Sequence, residues 1–354
     1  MVKMALEPQW EAQAFLHSYA FRPGRDQHDA LEQLHASLST RAQFIANINL
    51  SKSLLRLDCK YLLRKFKTHP IIIRKVSRWI ESGLIAEYCY QSCSFDNKIF
   101  ALPNGAILAP LLVNLILNHI QLSIHESSIR HAGAIQKSRI ICYGLHCMII
   151  SESVASINNC IQILTKWLSK YGSNLNKGDF DIKITSDRFN FLNYGLIFNN
   201  NKKVCEIGPS VHAIKFFNQK NRELIQLLKV GPIKKFICRL RINILDWATD
   251  YAQYNSKSTF NYIDKVLFSQ LRAVTLKRHP GKSKNWIKKK YFPSQKLYFF
   301  QNKYYVASWV LTDTTSLSGE FLPRLQWVRR KHYVKVVSTK SVYDNDYTYW
   351  KKRL

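Results

Sequence analysis

The sequence predicts an α+β fold, and three observations carry that expectation. Several segments before about residue 200 repeat apolar residues at helical spacing, and short strand-like runs interrupt them. Beyond that point the pattern becomes helical and strongly basic. The expected organisation is a mixed helix–strand part over 1–200, a helical basic module over 201–295 and a small appendage over 296–354.

Taken in order, Asp26 or Asp29 can start a helix through "ALEQLHASL", where Leu31, Leu34 and Leu38 share one face. "AQFIANINL" reads as a strand and "KSLLRLDCKYLLRKF" as the helix after it. Pro70 suits a helix's first turn and Gly83 its end, framing "IIIRKVSRWIES". "LLVNLILNHIQLSI" is a further apolar helix, and "VASINNCIQILTKWLSKY" an amphipathic one closed by Gly172. "FNFLNYGLIF" is strand-like. Three helices follow in "HAIKFFNQKNRELIQLL", "PIKKFICRLRINILDWATDYAQY" and "TFNYIDKVLFSQLRAVTLKR". The tail from "QKLYFFQNKYYVASWVL" onward is aromatic and has strand propensity.

Composition narrows the function. The chain has 354 residues, enough for two or three domains, and its 46% hydrophobic content argues for packed cores. Fifty-three Lys and Arg against 23 Asp and Glu leave a net charge of +30. Such self-repulsion calls for a polyanionic partner, with nucleic acid well ahead of a membrane surface. The longest apolar run, "AILAPLLVNLILNHI", is broken by Pro110, Asn114 and Asn118 and is too short to span a bilayer. Glu7 interrupts any secretory h-region, and the eight cysteines lack framework spacing, which suits a reducing compartment. Twelve glycines beside abundant Ile, Asn and Lys point to an AT-biased organellar genome.

"ICYGLHCMII" concentrates Cys142, His146 and Cys147 around Gly144. A Gly as first of two residues between strand-like runs fits a tight hairpin needing positive φ there. Tyr143 then faces His146, and Cys142 faces Cys147. Zinc needs about four converging ligands, whereas strand alternation sends His146 and Cys147 to opposite faces. Nothing in the sequence brings Cys89 and Cys93 of "CYQSC" close to it. We therefore expect neither metal nor cofactor. A cross-strand disulfide is sterically conceivable, with two buried thiols the default.

The order of these segments resembles the palm of a reverse transcriptase, and the specific match is to group II intron-encoded reverse transcriptase/maturases. "LEPQWEAQAF" and "SYAFRPGRDQHDA" look like that family's second motif block, and "INLSKSLLRLDCKYLLRKF" like its first catalytic strand and following helix. "LPNGAILAPLLVNLIL" resembles its Pro-Gln-Gly segment, keeping Pro103, Gly105, Pro110 and Asn114 but carrying Asn104 for Gln. "CYGLH" stands where the Tyr-Ala-Asp-Asp hairpin stands, and "FLNY" where Phe-Leu-Gly-Phe does. "RLRINILDWATDYAQYNSKSTF" and "KRHPGKSKNWIKKKYF" look like the thumb-like maturase domain, domain X. "SVYDNDYTYWKKRL" resembles the segment leading into a His-Asn-His endonuclease. The resemblance implies a degenerate palm with partial fingers over 1–200, domain X over 201–295 and, over 296–354, a remnant of the DNA-binding region before a missing endonuclease.

Polymerases of this kind hold two metal ions on carboxylates, and hard Mg²⁺ needs anionic oxygen ligands. The matching positions here are Asn49, Leu145 and His146, with Asn47 and Leu55 at the further acidic positions and Asp58 displaced by three residues. The resemblance with these departures implies a non-enzymatic splicing maturase that binds group II intron RNA, in a plastid before a mitochondrion or a bacterial cytoplasm. The alternatives are an active polymerase with a rewired site, a decaying reading frame and a generic RNA chaperone. Host splicing factors and a second copy of the chain are candidate partners, and a membrane is not.

The expected RNA-binding residues are Arg22, Arg25, Arg239, Arg241, Lys277, Arg278, His279, Lys282, Lys284, Trp286, Lys288, Lys289 and Lys290. Cations neutralise phosphates and aromatics stack on bases. A solvated helix end is the plain alternative for the lysines, and core packing is as strong a reading as stacking for Trp286. Trp247, Tyr251 and Phe260 read as a packing skeleton. Arg329, Arg330, Lys331 and Lys335 either touch RNA or remain from a DNA-binding region.

Overall fold

The computed structural model describes residues 1–38, 43–54, 68–81, 108–130, 138–199, 204–229, 231–254, 256–314, 319–330 and 333–353. It divides into two compact units. One comprises Met1–Phe189, Ile197–Cys205 and Val334–Leu354, and the other Asn190–Leu196 and Glu206–Tyr333. Residues from Val334 onward thus group with the first unit, and those from Glu206 to Tyr333 with the second.

In the first unit, α1 (Val2–Gln13) and α2 (Gln27–Ser37) precede strand β1 (Phe44–Asn49) and α3 (Ser51–Leu54). Asp26 and Asp29 act together at the start of α2: Asp26 accepts the N–H groups of His28 and Asp29, and Asp29 accepts that of Asp26. Next come α4 (Pro70–Glu81), α5 (Ala109–Arg130), the hairpin β2 (Arg139–Tyr143) and β3 (His146–Ser151), α6 (Val154–Lys170) and β4 (Phe180–Ile184). The helix expected over 52–66 is described only in its first turn, and 89–107 lie outside the described residues.

The sheet order β2-β3-β1-β4 makes β1 a central strand, antiparallel to both neighbours. All but the first residue of β3 is buried, so helices must cover the sheet. α6 does so with Ile157, Cys160, Ile161, Leu164 and Leu168, a stripe recurring every three to four residues. Its end is closed as its sequence predicts: Ser173 donates to the Leu168 carbonyl beyond Gly172, whose φ is +78°. β5 (Phe189–Phe191), β6 (Tyr194–Asn199) and β7 (Val204–Pro209) form a three-stranded sheet.

The "FRPGR" turn corrects an expectation. Arg22 and Arg25 do not reach toward a phosphate, because both are buried. Arg22 donates from Nε and Nη2 to the two Glu11 oxygens at 2.8 and 2.6 Å, and from Nη1 to the carbonyls of Phe15 and Ser18. Arg25 donates to the carbonyls of Ser338 and Lys340 at 2.9 and 3.1 Å. Burial, reinforced by neighbouring Arg22, pulls the Arg25 guanidinium down to about 10. Between them Gly24 has φ +68°, and a Cβ there would come within 2.6 Å of the Trp350 ring. Trp350 belongs to α11 (Tyr347–Arg353), whose Arg353 donates to the buried Asp29 carboxylate and to the Gly24 carbonyl. Asp29 also accepts the Val336 N–H at 2.7 Å. The turn is a structural joint for the end of the chain.

The second unit is helical as expected: α7 (Val211–Gln226), α8 (Ile233–Tyr251) and α9 (Lys257–Arg278). Trp247 stacks on Phe217 at 4.4 Å between centroids and touches Tyr251 and Phe260, so these aromatics are packing residues. The short α10 (Lys284–Tyr291) follows, then a ribbon of β8 (Lys296–Phe300) and β9 (Lys303–Ala307). Asp264 on α9 is pushed up to about 6 by burial while accepting the Leu325 and Gln326 N–H groups of a 3₁₀ turn, Leu325–Trp327.

Removing one partner of a buried ion pair strands the other. Glu11→Ala, leaving two buried guanidiniums without their carboxylate, is expected to cost on the order of 3–5 kcal/mol in urea unfolding, with Lys3→Ala as the near-neutral control.

Candidate functional site

The hairpin forms as its sequence requires. Gly144 has φ +57° and begins a two-residue turn, Tyr143 pairs with His146, and Cys142 pairs with Cys147. The two cysteines are joined in a disulfide, where two free thiols were the default expectation. The reason is positional: their Cα atoms stand 4.2 Å apart, the closer of the two cross-strand spacings. Outside the hairpin, Cys142 pairs instead with the backbone of His17 and Tyr19.

Register then assembles the three positions singled out from sequence. Asn49, at the end of β1, is opposite His146, and the Leu50 N–H donates to the Leu145 carbonyl at 2.8 Å. Asn49 is exposed, and its side-chain oxygen accepts the Ser51 N–H at 3.0 Å, which turns the chain into α3. Leu145 packs partly buried against the main core of the unit. His146 is half-buried, and burial lowers its pKa and favours the neutral ring. An amide, an alkyl chain and a neutral imidazole do not fit paired Mg²⁺ ions, which require carboxylates. Among the described residues no group of three His, Cys, Asp or Glu side chains could hold a metal ion.

In the second unit the basic residues singled out from the sequence differ in exposure. Lys277, Lys282, Lys284, Lys288 and Lys289 are exposed, and Lys290 is half-buried. Ser283 caps α10 by accepting the Trp286 N–H, and Ile287 and Tyr291 anchor the helix in the core. Lys284 and Lys288 are therefore one turn apart on an exposed face, a like-charge pairing that weakens a bare helix. Trp286 is half-buried, with the Lys290 and Lys282 ammonium groups 4.7 and 5.6 Å from its ring centroid. His279 hydrogen-bonds the Tyr291 hydroxyl at 2.7 Å.

The arginines are more committed. Arg278 donates to the carbonyls of Leu228 and Gly231 at 2.7 and 2.9 Å, a structural use absent from the sequence reading. Arg241 pairs with Glu320 at 3.6 Å and lies over the Phe321 ring. Arg239 is exposed, and it lines a surface depression with Lys235, one turn earlier on α8. Lys234 and Lys235 are also exposed there, and the four-residue spacing of Lys235 and Arg239 puts them on one face of the helix.

A palm-type antiparallel sheet, followed along the chain by a basic helical module, defines the reverse-transcriptase-like class of protein. The family described as reverse transcriptase (RNA-dependent DNA polymerase) matches residues 1–196, and the group II intron, maturase-specific domain matches residues 214–292. The chain belongs to the group II intron reverse transcriptase/maturase family. Among curated proteins it is 27% identical over 143 residues to Protein YkfC of Escherichia coli (strain K12), covering 38% of this chain and 36% of that protein. The chain thus spans about a third of the relative it matches. Among solved structures, a telomerase from Candida albicans aligns with a TM-score of 0.35 and 10% identity, over 80% of this chain and 55% of that one. Among the described residues no helix is long and apolar enough to cross a membrane.

The positive φ at Gly144 gives a direct test of the hairpin. Gly144→Ala is expected to cost about 1–2 kcal/mol in denaturant unfolding, since an L-residue resists that conformation.

Proposed function

We propose that this protein is a splicing maturase that binds a structured group II intron RNA, foremost the intron encoding it, and performs no DNA synthesis. The observation that carries the first half is the maturase-specific match over 214–292, which contains the exposed lysines of α10 and the turn before it. The second half is supported by Asn49, Leu145 and His146, none of which offers an anionic oxygen. Arg239 and Lys277 extend the proposed RNA surface, while Trp286 and Lys290 sit at its edge.

In this reading the RNA carries out the transesterifications. The protein shifts the RNA population only as far as it binds the active fold better than misfolded forms. Phosphate neutralisation releases counterions, so affinity falls steeply with salt. The AT-biased composition supports a plastid location before a mitochondrial one.

The test is a salt titration of binding to a group II intron and to a structured control RNA. Replacing Lys282, Lys284, Lys288, Lys289 and Lys290 by Gln is expected to flatten the slope of log affinity against log salt by up to roughly 4. An unchanged slope would remove the surface, and equal affinity for both RNAs would favour a generic chaperone. Primer extension with Mg²⁺ or Mn²⁺ is expected to give no product. Product that disappears on Asp58→Asn would establish the rewired polymerase instead.

A further inference from the structure

The β8–β9 ribbon of the second unit has two faces of opposite character. Its inner face is locked: Tyr305 stacks on Trp327 at 4.6 Å, and Tyr298 packs against Phe321 and Trp327 while sharing a hydrogen bond with Thr312. Gln301 and Asn302 close the ribbon, both at positive φ, the backbone of a tight hairpin turn. The outer face carries Leu297, Phe299, Tyr304 and Val306, which are 57, 55, 66 and 69% exposed. They form two cross-strand pairs, Leu297 with Val306 and Phe299 with Tyr304, and the two rings of the second pair lie 4.9 Å apart.

We propose that this outer face is a platform on which unpaired RNA bases stack, with Phe299 and Tyr304 as the stacking rings. Four large side chains held at such exposure on a braced ribbon form a patch that the packing among the described residues leaves open. The two pairs are two residues, about 7 Å, apart along the strands, which leaves room for successive bases. Charge decides the class of occupant. No Asp or Glu occurs in the sequence between Asp264 and Asp313, so strands, turn and the preceding helix present no anion to a polyanion. At the tip the Arg329 N–H donates to the Gln301 side chain at 3.0 Å, which brings another cation to the turn. Lys303 is exposed at the start of β9. Aromatic rings bordered by cations match single-stranded RNA, whose bases offer π faces and whose phosphates follow the positive rim.

This contact lies outside the maturase-specific match and needs no intron fold. A short oligoadenylate therefore tests it separately from the proposed function. The full chain would be titrated with that oligoadenylate and with an RNA duplex of equal length, at raised salt so that phosphate attraction contributes less. Phe299→Leu with Tyr304→Leu keeps the face apolar and removes the rings. Single-strand affinity is expected to fall at least about tenfold while duplex affinity is unchanged. Tyr304→Trp is expected to hold or raise it, which excludes misfolding as the cause. Equal losses for single strand and duplex, or no loss, overturn the platform. Wild-type RNA binding by the Leu variant, together with a change from dimer to monomer on Phe299→Ala with Tyr304→Ala, overturns it in favour of a protein contact.

Discussion

Carboxylates are scarce in this chain, and the folded units depend on where the few are placed. With 23 acids against 53 Lys and Arg, an acid used inside is one fewer on a surface that already repels itself. Glu11 holds Arg22 and stands near Arg25, Asp29 gathers Arg353 and two backbone N–H groups, and Asp264 holds the turn at Leu325 and Gln326. A buried ion pair is weak as net stabilisation, because desolvation offsets most of the attraction. Its effect is to specify which segments meet. Asp264, raised to about 6 by burial, shows that this placement is costly for the charged form.

Five of the arginines and five of the lysines are put to different uses. Arg22, Arg25, Arg278, Arg324 and Arg353 direct guanidinium groups at internal carbonyls or carboxylates, where a planar fork can satisfy several acceptors at once. Lys277, Lys282, Lys284, Lys288 and Lys289 are left exposed. Lysine holds its charge as a mobile point on a flexible stem, which suits a phosphate backbone of variable geometry. A surface built this way attracts a polyanion broadly. Preference for one polyanion over another must then come from shape and from contacts other than charge.

At the hairpin the side chains serve packing. Leu145 adds to the core, and His146 stays partly buried with its neutral form favoured. Charged carboxylates there would need compensating ions in order to avoid repulsion and desolvation. Without them the turn has no such demand. Pairing of β3 with both β2 and β1 holds the hairpin backbone in place.

Much of this was legible in the sequence, and the legible part is local. Helical stripes such as Ile157–Leu168, the Asp26 cap, the Gly172 stop and the Gly144 turn follow from short-range sterics and hydrogen bonding. The facing of Cys142 with Cys147 follows from turn length, whereas the meeting of Asn49 with His146 was decided by the pairing of β1 with β3. What the sequence did not disclose was the fate of each side chain. Arg22 and Arg25 look like surface cations until Glu11, Ser338 and Lys340 are seen around them, and Gly24 looks like a plain turn until Trp350 presses on it. The disulfide, the return of the last residues to the first unit and the exposed face of the β8–β9 ribbon were likewise decided by tertiary structure. Burial and partnership depend on which segments the fold brings together, some of them more than 300 positions apart, and no local pattern encodes that.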